Sequence, residues 1–281
     1  MRIGIWHTQI DRMCGCWKVV YNTIDGIRQL GHEVVENTHG VLNGCVQRKA
    51  GDACGPKCVM GPETMVLPSE YPEMFSQYKY WAQPSQWCVD YFKEFPVTRN
   101  VELNPWAVGV DTDKFTPDKS PKFDCLIFYK NVTKQTPESR IKEVRKALND
   151  IGQTHRTVVY GKYKQDDFIT LLNQCRYCVW LCGSESQNIA IMEAWSMDVP
   201  TYIWDERMFS YSNYTFEGAS SAPYFDVECG VKRTDLKLLP DFTANIPHYS
   251  PRNFMLNNHT LKHGASQYID IMEKCLGVNH D

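Results

Sequence analysis

The chain lacks most of what would place it in a membrane, on a nucleic acid or outside a cell. Across its 281 residues no apolar run approaches the roughly 18 that a membrane helix needs. Met1–Trp6 is apolar, but Asp11 and Arg12 follow almost at once. A secretory leader needs a longer apolar core and a small-residue cleavage site. There is no basic excess, since 30 basic and 33 acidic side chains give a net charge of −3, which argues against a nucleic-acid partner. No Gly-x-Gly-x-x-Gly turn follows the first candidate strand, and no phosphate-loop motif is present. These absences count against a nicotinamide dehydrogenase and a phosphate-loop kinase. Internal repeats, low-complexity tracts and heptads are missing as well. A soluble, cytoplasmic protein without a transmembrane segment is expected, and a homo-oligomer is compatible with the composition.

Cysteine, in contrast, is plentiful, with 12 residues. Cys14, Cys16, Cys45, Cys54 and Cys58 crowd the N-terminal part, and Cys175-Arg176-Tyr177-Cys178 has the spacing of a metal pair. No second close cysteine pair stands beside it, and no leader directs the chain to an oxidising compartment. Reduced, buried thiols are expected, with no metal and no cofactor.

The apolar pattern alternates between strand and helix periods. Arg2–Trp6 reads as a strand with Ile3 and Ile5 on one face. Val20, Ile24, Ile27 and Leu30 recur at helical spacing, Gly31 suits a helix end, and His32–Val35 reads as a second strand. Val59–Met60, Met65–Leu67 and Tyr78–Trp81 are expected to be short strands, while Thr38–Lys57 gives no clear pattern. After a proline-rich hinge from Asn104 to Pro121 a new series begins. Strands are expected at Asp124–Tyr129, Arg156–Tyr160, Tyr177–Leu181 and Thr201–Trp204, with helices at Pro137–Ile151, Asp166–Asn173 and Ile189–Met197. Such alternation predicts an α/β fold with two Rossmann-like domains. The expected boundaries are 1–110 and 111–258, with a C-terminal helix over 259–281 packing back on the first domain.

The segment that points to chemistry is Ser184-Glu185-Ser186-Gln187-Asn188-Ile189-Ala190-Ile191-Met192-Glu193. Its two glutamates are separated by seven residues. Glu185 follows a buried strand and a Gly183-Ser184 turn, which places it at the carboxyl edge of a sheet, where open α/β folds bind ligands. Glu193 falls in the helix that follows. The amides at that helix start, together with its dipole, form an anion cradle. Two glutamates at this spacing also occur as solvated surface residues; the strand–turn–helix setting favours function.

This segment resembles the Glu-x7-Glu motif of glycosyltransferase family 4. Further pieces are similar to that family in the same order: Met1–Ile5, Gly15 and Leu30-Gly31-His32-Glu33-Val34; Asn104-Pro105 with Gly109–Pro117; Lys130 and Lys134; and Glu193–Pro200. The resemblance extends to members encoded by large algal DNA viruses. It implies two facing Rossmann-like domains, the GT-B fold, and metal-free, retaining transfer of a hexose from a nucleoside-diphosphate sugar to a glycan or glycoprotein acceptor. It assigns Glu185 to the donor sugar, Glu193 to the ribose, and Lys130 and Lys134 to the diphosphate. Gly15, Ser186, Gln187, Asn188, Ile189, Ala190 and Gly161 complete the implied donor site. His7 and His39, each at a strand end, are further candidates. Gln187-Asn188 stands where the family has Phe-Gly, so a catalytically silent nucleotide-sugar or glycan binding module remains the rival reading.

Overall fold

The computed structural model describes residues 1–8, 14–46, 51–62, 66–132 and 136–277. Lys134 lies outside them. Contacts divide the chain into two compact units: Met1–Val110 with Ser210–Phe216 and His259–Asp281, and Asp111–Phe209 with Glu217–Asn258.

The first unit is built from β1 (Arg2–Trp6), α1 (Gly15–Gln29), β2 (Glu33–Glu36), β3 (Leu42–Cys45), α2 (Gly51–Cys54), β4 (Val59–Met60), α3 (Pro72–Gln77), β5 (Tyr80–Gln83), α4 (Gln86–Lys93) and β6 (Glu102–Pro105). Among the described residues the strands form one parallel sheet in the order β2-β1-β3-β4-β5-β6. Ile3 and Ile5 are wholly buried in β1, and Val20, Ile24 and Ile27 bury the inner face of α1. α1 ends because Gly31 takes φ +83. The N–H of Gly31 then reaches the Arg28 carbonyl, and that of His32 the Ile27 carbonyl, so the last turn is closed.

The strands expected beyond β4 are corrected. Val66 and Leu67 lie outside any strand, and Met65 falls outside the described residues. Gly61 turns the chain away at φ +103, and the next sheet member is β5, two residues later than expected. β3 occupies the patternless stretch. Its Leu42-Asn43-Gly44-Cys45 sequence is a poor strand former in isolation. Tertiary packing supplies the reason for it: a Cβ on Gly44 would sit 2.3 Å from the Tyr268 hydroxyl. The Asn43 side chain meanwhile brackets Gly40, accepting from its N–H at 3.0 Å and donating to its carbonyl at 3.2 Å.

The second unit holds β7 (Phe123–Tyr129), α5 (Glu138–Asp150), β8 (His155–Val159), α6 (Gln165–Gln174), β9 (Cys175–Leu181), α7 (Ile189–Ser196) and β10 (Thr201–Trp204). A two-stranded excursion follows in the chain, β11 (Met208–Tyr211) and β12 (Tyr214–Glu217), whose Ser210–Phe216 stretch counts with the first unit; the second unit resumes with β13 (Gly230–Arg233), α8 (Leu239–Ala244) and α9 (Pro251–Asn258). The sheet is parallel, in the order β13-β10-β9-β7-β8. Both faces of β7 and β9 are covered, which is why they read as continuous apolar runs. The Arg252 guanidinium on α9 donates to the Thr112, Phe115 and Ser196 carbonyls and so ties the start of this unit to the end of α7. Asp198 follows α7 at φ +55, a left-handed position that Asp tolerates better than most residues.

α10 (Leu261–Leu276) belongs to the first unit and lies along α1. Small residues permit the approach. A Cβ on Gly26 would meet the Leu261 carbonyl oxygen at 2.3 Å, and one on Gly264 would meet the Gly109 nitrogen at 2.2 Å. Trp106 stacks on Tyr268 with ring centroids 4.2 Å apart, and its indole donates to the Gly264 carbonyl at 2.8 Å.

Candidate functional site

In the second unit the carboxyl ends of β7, β8 and β9 bring together groups far apart in sequence. Lys130 follows β7, and its amide donates to the Leu181 carbonyl at the end of β9. Its ammonium lies 2.7 Å from Glu185 Oε1 and 2.8 Å from Oε2, and 4.4 Å from the centre of the Tyr160 ring after β8. The pair is mostly enclosed, with side-chain exposures of 22% for Lys130 and 15% for Glu185. Burial pulls the Lys130 pKa down. The Glu185 charge and hydrogen bond more than offset this, so the net direction is upward and the ammonium is held charged.

The loop after β9 is anchored through its backbone, the Glu185 N–H donating to the Ser220 carbonyl at 2.9 Å. Asn188 then sets the start of α7. It sits at φ +63, where glycine is the usual occupant, and its Oδ1 accepts from the Ile191 N–H at 3.3 Å. Its Nδ2 donates to the Ser221 carbonyl at 2.7 Å. Not every amide at this helix start is open to a ligand, because that of Ile191 is capped by Asn188. Those of Asn188, Ile189 and Ala190 have no hydrogen-bond partner among the described residues. They follow Glu185 by three to five residues on the loop that enters α7, so the same segment supplies the carboxylate and the helix-start donors.

Glu193, one turn into α7, is 2% exposed, and Gln165 Nε2 approaches its Oε2 at 3.4 Å. Burial, and then the Glu193 charge, push the Tyr163 phenol up, which sets Tyr163 and Glu193 in one electrostatic neighbourhood. Gly161 turns at φ +77 between Tyr160 and Tyr163, with open space where a Cβ would stand. Ser186 is half-buried and Gln187 buried, the Gln187 amide pointing to the Met192 sulfur at 3.6 Å. Tyr160, Tyr163 and Gln165 are additions that sequence reasoning did not supply; their only signal was position, at the end of a predicted strand.

The remaining candidates fall in the first unit. Gly15 opens α1, is exposed, and has nothing within 4 Å of where a Cβ would stand. The His7 ring is shared between Glu36 Oε2 and the Thr8 carbonyl, each 3.1 Å away, and the His7 backbone N–H donates to Asn37 Oδ1. His39 packs on Trp6 with ring centres 4.9 Å apart. Both histidines therefore have local structural partners.

Two spacings of metal-binding appearance resolve into structural roles. Asp111-Thr112-Asp113 is an Asp-x-Asp triplet, but Asp111 Oδ1 accepts the N–H groups of Asp113 at 3.2 Å and Lys114 at 2.9 Å, capping a turn. His259 and His263 are four apart; the Nδ1 of His263 pairs with the Thr260 hydroxyl, and burial lowers the His259 pKa to about 4. Among the described residues no group of three or more His, Cys, Asp or Glu side chains is arranged to hold a metal ion. No disulfide joins any of the 12 cysteines.

Neither a protein-family model nor a curated protein matches the sequence. Solved structures do. The galactosyltransferase WaaB of the lipopolysaccharide outer core, in its apo form, aligns with 98% of this chain and 100% of its own at a TM-score of 0.61 and 10% identity. An alpha-glucosyltransferase in complex with UDP and a 13-mer DNA aligns with 97% of this chain and 99% of its own, at 0.59 and 10%. A chain of the GtfA/B complex aligns with 84% of this chain, at 0.53 and 10%, and there the alignment spans 57% of the other chain. The fold is GT-B. Within it, the GT-B sheet of the second unit carries Lys130, Glu185, the α7 amides and Glu193 at one carboxyl edge. Among the described residues no helix is long and apolar enough to cross a membrane.

Proposed function

We propose that the chain is a retaining, metal-independent glycosyltransferase that moves a hexose from a UDP- or GDP-linked donor to a glycan or glycoprotein acceptor. The observation that carries this reading is the mostly enclosed Lys130–Glu185 pair at a sheet edge, with Glu185 on the loop that leads into the uncapped first amides of α7. Breaking a sugar–phosphate bond places negative charge on the departing diphosphate and positive charge on the sugar ring. An ammonium and a helix start answer the first charge, and a carboxylate answers the second. Lys130 cannot deliver its charge to a phosphate while both carboxylate oxygens hold it at 2.7 and 2.8 Å, so donor binding divides it between two anions. Glu185 in turn gains freedom to accept from sugar hydroxyls near the reacting carbon.

Glu193 is the ribose partner in this scheme, and its enclosure matches a site that is completed by hydroxyl donors. Lys134 adds a second cation to the diphosphate, and Gly15 lets backbone approach the donor. The acceptor hydroxyl attacks the anomeric carbon from the face the diphosphate leaves, and the hydroxyl proton passes to the departing phosphate oxygen. No step requires a metal. UDP is the first base to test, because the alpha-glucosyltransferase with the same fold was solved with UDP. An acceptor other than nucleic acid fits the net charge of −3.

The Asn188 geometry favours activity over a silent module, since Asn at φ +63 keeps the loop path that glycine would supply. The test is release of nucleoside diphosphate from UDP- and GDP-hexoses by the purified chain. Slow release without acceptor, accelerated by oligosaccharides, supports transfer; tight donor binding with no turnover on any acceptor supports the silent module and overturns the proposal.

A further inference from the structure

A second basic feature lies on the other side of β9 from Lys130, over the carboxyl ends of β10 and β13. It is a cavity of about 390 Å³ lined by Asp205, Arg207, Gly218, Ala219, Ser220, Lys232, Arg233 and Thr234, all in the second unit. The lining holds three cationic side chains and one carboxylate. One oxygen of that carboxylate is already engaged, Asp205 Oδ1 accepting from the Ser220 hydroxyl at 2.9 Å and from the Ser221 N–H at 2.8 Å.

Lys232 is half-buried, and its ammonium is held by neutral oxygens, the Ser220 hydroxyl at 3.2 Å and the Ala222 carbonyl at 3.3 Å. No carboxylate lies within ion-pair distance of Lys232, Arg207 or Arg233 among the described residues. Burial accordingly lowers the Lys232 pKa, and the Asp205 charge does not restore it. A lysine ammonium withdrawn from water without an anionic partner is costly unless a ligand supplies one. The Phe225 ring, 5.4 Å from the Lys232 ammonium, is a weaker partner than an oxyanion would be.

The position of the cavity says which molecule carries that group. Ser220 lines the cavity, and its carbonyl accepts the Glu185 N–H at 2.9 Å, so the cavity wall is bonded to the residue proposed to face the reacting sugar. In the proposed function the donor diphosphate is met by Lys130, on the β7 side of β9, and by the start of α7. A second anion station on the β10 side serves a second molecule. We propose that the cavity seats a phosphate or carboxylate carried by the acceptor, so that the chain glycosylates an acidic sugar in preference to a neutral one. The assignment to the acceptor rests on the glycosyl-transfer reading; the anion site itself does not.

The test titrates the full chain with glucose 6-phosphate and glucuronate, with glucose as the neutral control, in the presence and absence of saturating UDP. Binding of an acidic sugar that persists with UDP, and that weakens about tenfold or more in Arg207→Ala and Lys232→Gln but not in Lys130→Ala, supports the site. Arg207 is exposed, so its replacement leaves folding intact if Lys232→Gln does not. Equal binding of glucose and glucose 6-phosphate, or loss of acidic-sugar binding on adding UDP, overturns it. The two acidic sugars distinguish phosphate from carboxylate. If UDP itself fails to bind, the transfer reading falls while the anion site is still judged by Arg207→Ala. A donor source is separated by comparing UDP-glucuronate with UDP-glucose: a preference for UDP-glucuronate that Arg207→Ala removes assigns the cavity to the donor and overturns the acceptor role.

Discussion

Replacing Glu185 by glutamine removes one charge and almost no volume. The structure allows the consequences to be separated. At 2.7 Å and an effective dielectric of about 20, two unit charges attract by about 6 kcal/mol before desolvation is subtracted. Breaking an enclosed pair outright costs about 3–5 kcal/mol. Glutamine retains an acceptor oxygen for Lys130, and the Tyr160 ring remains 4.4 Å from the ammonium, so a smaller loss of about 1–3 kcal/mol in unfolding free energy is expected. The functional effects should run in different directions. Lys130, no longer shared with a carboxylate, is fully available to phosphate, so UDP binding in a calorimeter should stay within about threefold of wild type or tighten. Transfer should fall about 10²–10³-fold, the loss expected for one well-placed transition-state group. Transfer at the wild-type rate, or UDP affinity falling in step with transfer, would refute the assignment of Glu185 to the sugar and Lys130 to the diphosphate.

The same pair sets an alkaline limit. The Lys130 pKa is raised above its ordinary 10.5 in the folded chain, so the stabilisation is complete below 10.5 and is lost as pH rises through the folded value. Urea midpoints of wild type and Glu185→Gln should accordingly keep a steady gap from neutral pH to about 10 and converge above it. Asn188→Ala removes the cap on Ile191 and the bond to Ser221 and forces alanine to φ +63, which should cost about 2–3 kcal/mol in urea unfolding; Asn188→Gly should cost less. Gly264→Ala drives a Cβ to 2.2 Å from the Gly109 backbone and should cost about 3 kcal/mol or more by thermal or urea unfolding. Gly15→Ala meets nothing within 4 Å, so it should leave stability within about 0.5 kcal/mol of wild type while weakening UDP-sugar binding in a titration.

The second unit was the more legible half of the fold, for a physical reason. Val179, Trp180 and Leu181 in β9, like Leu126, Ile127 and Phe128 in β7, are wholly buried, so their apolar runs stand out from their surroundings. β3 did not stand out, because Gly44 and Asn43 are there to admit Tyr268 and to bracket Gly40, contacts made with residues distant or irregular in sequence. The β11–β12 excursion was missed too. Its Phe209 and Phe216 are buried, but the strands are four residues each and alternate too briefly to read. At the site, Glu185 and the helix start of α7 were visible as one segment. Lys130 as a site residue came only from the resemblance, and its pairing with Glu185, across 55 residues, was not expected. Asn188 read as a departure from the family pattern, whereas its backbone angle shows a left-handed cap. The Asp205–Ser220–Lys232 network draws on three separate segments, and no local pattern announces it.

The central claim is that the edge of the second sheet, at Lys130 and the start of α7, receives the phosphates of a nucleotide-linked sugar. Calorimetric titration of the purified chain and of Lys130→Ala with UDP and with GDP tests it directly. The wild-type chain should bind at least one of the two saturably, and the variant about tenfold or more weakly. Equal affinity in both proteins, or no binding of either nucleotide, would contradict it.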